Sequence, residues 1–197
     1  MKDKRHRGWF TLPGHKGDRT LEQQTKGLDA IDFKGKTVLD VGCAEGVLSL
    51  WCLGAGAKYV RGIDIRRDFI VKATQLALDA GVYGRTAKSG RMARFAVVDI
   101  NKVPKTPAEK PVFDIVLMLG VLHKVTDPSF VCRQHAALAR ETVVIRLPPD
   151  GAPVITHPNN GNVPHDIGAV MDAAGFDLVR VTRGSFDEWT GHYVRTQ

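Results

Sequence analysis

Short unbroken apolar runs alternate along the chain with stretches whose apolar residues recur at helical spacing. Thr37-Val38-Leu39-Asp40-Val41 and Phe113-Asp114-Ile115-Val116-Leu117-Met118-Leu119 are the clearest runs, and continuous apolarity over such lengths predicts strands buried on both faces. Residues 59–63, 94–98 and 142–147 read as three further strands. Helical spacing fills the gaps. It starts at Gly46, carries Leu48, Leu50, Trp51 and Leu53, and stops at the glycines of 54–56. It returns over 68–80, with Phe69, Val71, Leu76 and Ala77 apolar and Gly81 closing, and again over 128–139. A short amphipathic helix is predicted over 17–32, with Leu21, Gln24 and Leu28 on related faces and Asp18 or Thr20 near its start. Another short helix spans 166–174 and ends at Gly175.

Strand–helix alternation implies a parallel sheet covered on both sides. The end of the chain breaks the rhythm. Segments 177–182 and 192–196 are joined only by the turn-like stretch 183–191, too short for a crossover helix, so they pair as an antiparallel hairpin. The expected fold is α/β, a three-layer doubly wound sheet, mostly parallel with one antiparallel final strand. Residues 1–35 read as a basic segment with a lid-like helix, ahead of a domain over 36–197. The loop over 148–164 is long for a compact domain, and such loops are more often functional than idle.

Composition narrows the class. The chain has 197 residues, 43% hydrophobic and 25% charged, enough for one well-buried domain. No apolar run is long enough to span a membrane, and MKDKRHRGWF lacks the apolar stretch of a secretory signal. Cys43, Cys52 and Cys132 have no metal-like spacing, so no metal site is expected, and free thiols in a reducing cytoplasm are. The formal charge of +7 gathers partly at Lys2, Lys4, Arg5, His6 and Arg7 and partly around Arg85, Lys88, Arg91 and Arg94. That admits a phosphate-bearing partner such as RNA, or simply a solvated face.

In doubly wound sheets ligands bind beyond the carboxyl ends of the strands, where strand order reverses. The first strand lies there, and Gly42-Cys43-Ala44-Glu45-Gly46 follows it. Such a turn brings backbone close to a ligand and aims the free N–H groups of the next helix at it, although a helix-entry turn without a ligand has the same outline. Asp64 ends the second strand, spaced to accept the ribose hydroxyls of an adenosine, or else to cap the next helix. Asp99 ends the third, placed to accept from an adenine amino group, with Ile65 and Ile100 flanking the ring.

Val38 to Gly46, Gly62 to Ile65, Val98 to Ile100, and Phe113-Asp114-Ile115-Val116 followed by Gly120-Val121-Leu122-His123 together resemble the motif series of class I S-adenosylmethionine-dependent methyltransferases. The resemblance covers about residues 36–197. It implies a seven-stranded Rossmann-like sheet and methyl transfer from S-adenosylmethionine. It also implies that Asp40 and the backbone from Gly42 to Gly46 face the methionine part, and that Leu119 offers a carbonyl to its amino group. One departure is Ala44, where the family usually has glycine; its methyl is tolerable if φ stays negative. The turn also fails the Gly-x-Gly-x-x-Gly dinucleotide pattern, with Ala44 and Val47 at the later glycine positions, which counts against a nicotinamide enzyme.

Methyl transfer is an in-line displacement, and a base is needed only if the acceptor rests protonated. His123 is the candidate base, or a structural histidine. Arg146, ending the fifth strand, is a two-pronged donor for a substrate anion, or a salt-bridge partner. His157 and Asn159 lie in the long loop bordering the acceptor side. Arg19 is placed to bind the methionine carboxylate, assisted by Gln24. The acceptor is expected to be a small molecule or a nucleobase. The stretch 118–123 is also similar to enzymes that modify the wobble uridine of transfer RNA, and a non-catalytic cofactor-binding partner subunit is a further alternative.

Overall fold

The computed structural model describes residues 19–84, 90–102, 111–149, 153–155 and 164–196. The elements are α1 (Leu21–Thr25), β1 (Thr37–Val41), α2 (Val47–Gly54), β2 (Tyr59–Asp64), α3 (Arg67–Asp79), β3 (Met92–Val97), β4 (Phe113–Leu119), α4 (Pro128–Ala136), β5 (Ala139–Leu147), β6 (Val154–Ile155), β7 (His165–Asp166), α5 (Ile167–Ala173), β8 (Phe176–Arg183) and β9 (Trp189–Arg195).

β1 and β4 fall where the apolar runs put them. α4 is shorter than its periodicity suggested, because β5 begins at Ala139, pairing with Phe113. The predicted N-terminal helix shrinks to α1. Thr20 caps it with a reciprocal Thr20–Gln23 box, but Gly27 turns the chain at φ +85°.

The seven-stranded sheet has the order β3-β2-β1-β4-β5-β9-β8. β1 pairs in parallel with β2 and β4, and β9 is antiparallel to both β5 and β8. A single strand is therefore reversed, and it lies second from the edge because the hairpin folds back into the sheet. β6 and β7 form a separate small hairpin.

Alternation along the strands divides the core between the two faces. Val38, Val60, Ile115, Leu117 and Val144 pack with Cys52, Phe69 and Ala73 of α2 and α3, a cluster that also takes in Leu28 and Phe33. Leu39, Val41, Val116, Met118, Val143 and Ile145 pack with Val131, Cys132, Ile167 and Met171 of α4 and α5. The acid inside the β4 run is satisfied locally. Thr37 donates to Asp114 through its backbone N–H and its hydroxyl, both at 2.8 Å. Burial raises the carboxyl, but these donors and Arg140 hold it below its ordinary range.

β1 is followed in sequence by β2 on one side and flanked by β4 on the other. Order reverses there, and a crevice opens beyond the carboxyl ends of these strands. Among the described residues, no helix is long and apolar enough to cross a membrane.

Candidate cofactor cleft

The crevice is a cleft of about 540 Å³, within the range of small-molecule and cofactor sites. Asp40, Asp64 and Asp99 all line it, from the ends of β1 and β2 and from just beyond β3. Gly42, Cys43, Ala44, Ile65, Ile100, Leu119, His123, Arg146 and Arg19 line it as well. His157 and Asn159 lie outside the described residues.

Asp40 is the deepest of the three cleft carboxylates, 2% exposed. Its hydrogen-bond donor among the described residues is the Ser49 hydroxyl, 2.6 Å away in the first turns of α2. Burial raises its pKa to about 6; the Ser49 bond opposes this, and nearby Asp64 adds to it. A carboxylate so placed favours a cationic visitor.

Asp64 does two jobs within the fold. One oxygen accepts the Ala44 N–H at 3.0 Å, and the other accepts the Arg66 N–H at 2.9 Å. It therefore ties the β1–α2 turn to the β2–α3 turn. Each oxygen keeps a further lone pair, so hydroxyl donors can still approach.

Ala44 does not keep a negative φ. It sits at +46°, the left-handed conformation in which the family's glycine would be unstrained. The reason lies in the bond just described: with Gly42 and Gly46 also at φ +75°, the turn is tight enough to aim the Ala44 N–H at Asp64. The turn faces the cleft through Gly42, Cys43 and Ala44. Glu45 and Gly46, expected beside them, do not line it. Glu45 is 2% exposed, and a Cβ built on Gly46 would stand 2.7 Å from Ala73 Cβ and 2.9 Å from the Phe95 ring.

Asp99 is near the surface. Asn101 donates to it from both backbone and side chain at 3.1 Å, and Lys102 lies at 3.4 Å. The Asn101 bonds first, then Lys102, hold it below its ordinary range. Ile65 is 59% exposed on the cleft wall.

Arg146 meets the N-terminal segment as well as the cleft. It lines the cleft but is 4% exposed, and its donors turn toward the N-terminal segment rather than a carboxylate. Nη1 donates to the Gln24 carbonyl at 2.9 Å and to its side chain at 3.4 Å, Nη2 to the Lys26 carbonyl at 2.9 Å, and Nε to Thr190 Oγ1 at 3.1 Å. Arg19 is ion-paired with Glu188 and stacks 4.6 Å from the centroid of Phe186.

Lys124, Phe186 and Glu188 also line the cleft and were not foreseen. The last two lie in the β8–β9 connection, which sequence showed only as a turn. Lys124 adjoins His123 in a 3-10 turn over Leu122–Lys124. Among the described residues, no cluster of three His, Cys, Asp or Glu side chains suits a metal ion.

The model of a methyltransferase domain matches residues 32–180, about three-quarters of the chain. The chain belongs to that family, the Rossmann-like class its motifs resemble. The ubiquinone biosynthesis O-methyltransferase of Bordetella parapertussis is 36% identical over 121 residues, 60% of this chain and 42% of that protein. The ribosomal protein L11 methyltransferase of Haemophilus ducreyi is 30% identical over 131 residues, 60% of this chain and 44% of that protein. The chain thus spans less than half the length of these relatives. A crystal structure of magnesium protoporphyrin IX methyltransferase from Synechocystis, with bound S-adenosylmethionine, superposes with a TM-score of 0.67 at 24% identity, covering 89% of this chain and 80% of the other. That likeness establishes a shared fold.

Proposed function

We propose that the domain binds S-adenosylmethionine in this cleft and transfers its methyl group to a small-molecule acceptor. The supporting observation is that the strand-tip acids Asp40, Asp64 and Asp99 share one cleft with the β1–α2 turn. The residues present suit the cofactor. Asp40 offers a buried anion to the cationic methionine end, Asp64 keeps acceptor capacity for the ribose, and Asp99 accepts from the adenine amino group between Ile65 and Ile100. Leu119 offers its carbonyl, and Arg19 faces the carboxylate.

The bound cofactor supplies an electrophilic methyl on a sulfonium with a good leaving group. The chain's part is then positional: Asp40, Asp64 and the turn fix the donor, and the β4 and β5 ends present the acceptor in line. His123 removes a proton from acceptors that need it. His157 and Asn159 are assigned to the acceptor side. The names of the relatives span a ubiquinone-pathway and a ribosomal-protein enzyme, so kinship does not select the acceptor.

Isothermal titration of the full chain with S-adenosylmethionine and S-adenosylhomocysteine tests the first half. Binding of both is expected, and no heat from either defeats the reading. Incubation with methyl-labelled donor and metabolite pools tests the second; cofactor binding with no transfer would indicate a non-catalytic partner subunit.

One observation favours an RNA acceptor as a second reading. Arg61 and Arg94 stand opposite each other on β2 and β3, both exposed. Phosphate contacts there would give RNA binding a steep salt dependence, whereas binding that is absent at low salt removes this reading.

A further inference from the structure

We propose that Arg146 is a positioning residue: it latches the segment 19–27 against the sheet and thereby sets the cofactor-facing wall made by Arg19 and Gln24. The inference rests on the cofactor reading above for its effect on affinity, and on geometry alone for the latch.

α1 is five residues long, too short to hold itself together in water. Its last carbonyls have no partners within the helix. The Glu22 and Thr25 carbonyls accept from the N–H groups of Lys26 and Leu28, and Arg146 serves those of Gln24 and the cap residue Lys26. The guanidinium forks between the carbonyls of Gln24 and Lys26, at 2.9 Å each, and its third arm is fixed by Thr190 at 3.1 Å. A cation at the C-terminal end of a helix also meets the favourable end of its dipole. Four of the five guanidinium N–H groups are thereby engaged, and a buried charge is solvated by neutral oxygens.

Two further contacts hold the same segment. Gly27, at φ +85°, passes so near β8 that a Cβ there would lie 2.4 Å from Thr182 Oγ1. At the other end Arg19 pairs with Glu188 and covers Phe186, while Glu188 accepts the Phe186 N–H at 3.0 Å. The segment is therefore tethered at both ends to the β5–β9–β8 side of the sheet. Arg19, at one tether, and Gln24, between the two, line the cleft. Sequence position gives no hint of this, because Arg146 and Gln24 are 122 residues apart.

A lysine cannot reproduce the fork, since it presents one compact ammonium rather than a planar pair of N–H groups. Two full-length variants, Arg146→Lys and Arg146→Met, therefore bracket the role. Hydrogen exchange without cofactor is the first measurement. Amides of residues 20–28 are expected to exchange at least about tenfold faster in Arg146→Met, with β1 and β4 amides unchanged, because a local opening is released without global unfolding. Arg146→Lys is expected to fall between. Unchanged exchange over 20–28, or loss of protection throughout the sheet, overturns the latch.

The second measurement is a cycle with Arg19→Gln, read as S-adenosylhomocysteine affinity. Each single variant is expected to weaken binding by about tenfold, the size of one charge-assisted hydrogen bond. The double variant should be no weaker than Arg146→Met, because Arg146 acts through the segment that carries Arg19. Additive losses overturn that route. Wild-type protein that binds no S-adenosylhomocysteine defeats the cofactor reading instead, and the exchange measurement still decides the latch.

Discussion

The Ala44 N–H donates to Asp64 at 3.0 Å from a left-handed backbone, φ +46°. The turn after β1 is thus locked to the tip of β2, and the lock forces an alanine into a conformation that glycine adopts freely. A left-handed alanine costs about 1–2 kcal/mol, and a glycine there would lose about 0.4–1 kcal/mol through its freer unfolded chain. Ala44→Gly also removes a methyl packed in the core, worth about 0.8 kcal/mol, so urea denaturation is expected to show a change of less than about 1 kcal/mol. A loss well beyond that would mean that the backbone strain at Ala44 is not relieved by glycine.

The same lock predicts the effect of neutralising its acceptor. Asp64→Asn places an amide N–H where the Ala44 or Arg66 N–H now donates. Unfolding free energy is expected to fall by about 1–3 kcal/mol, the penalty for an unsatisfied donor in a part-buried site. S-adenosylhomocysteine binding should weaken alongside it. Unaltered stability would mean that the turn holds itself.

Asp40 gives the chain a pH signature. Its carboxyl is raised from 3.8 to about 6 by burial. The protonated form thus favours the folded state. Its contribution is fully present below pH 4 and is lost as pH rises through about 6. A shift of this size corresponds to about 3 kcal/mol. Asp40→Asn should remove that loss, so the difference in stability between variant and wild type should grow between pH 4 and 7. Cofactor affinity in the wild type should run the other way, weakening below pH 6 as the anion is neutralised. Parallel stability curves for the two proteins would place the titration elsewhere.

Ser49 restrains that titration by donating to Asp40 at 2.6 Å. Ser49→Ala removes a bond to the ionised form, so the Asp40 midpoint should move further upward. The pH at which cofactor affinity is half lost should rise with it. A midpoint that stays in place would leave Ser49 a packing residue.

Gly46 is fixed by space as well as by φ. A Cβ would meet Ala73 at 2.7 Å and the Phe95 ring at 2.9 Å. Gly46→Ala combines overpacking with left-handed strain, together about 2–5 kcal/mol. Thermal denaturation should show a marked loss, and an unshifted midpoint would mean that α3 can retreat.

The order of the seven sheet strands and their helices along the chain, the reversed final strand and the acids at three strand ends could be read from the chain alone, whereas the small β6–β7 hairpin falls in and beside what reads as a loop. The legible features are all local signals: apolar runs for β1 and β4, glycine stops after α2 and α3, and a connection over 183–191 too short for a crossover. What Arg146 does could not be read. A charged residue at a strand tip is compatible with a substrate, an acid or a carbonyl, and only the folded chain brings Gln24 and Lys26 to it across 120 residues or more. Ala44 is similar. Its φ is set by what Asp64 accepts twenty residues later, and the side chain itself carries no mark of that demand. Sequence fixes periodicity and therefore architecture; which polar groups meet inside the architecture is decided by long-range packing, because hydrogen bonds select partners by position in space rather than along the chain.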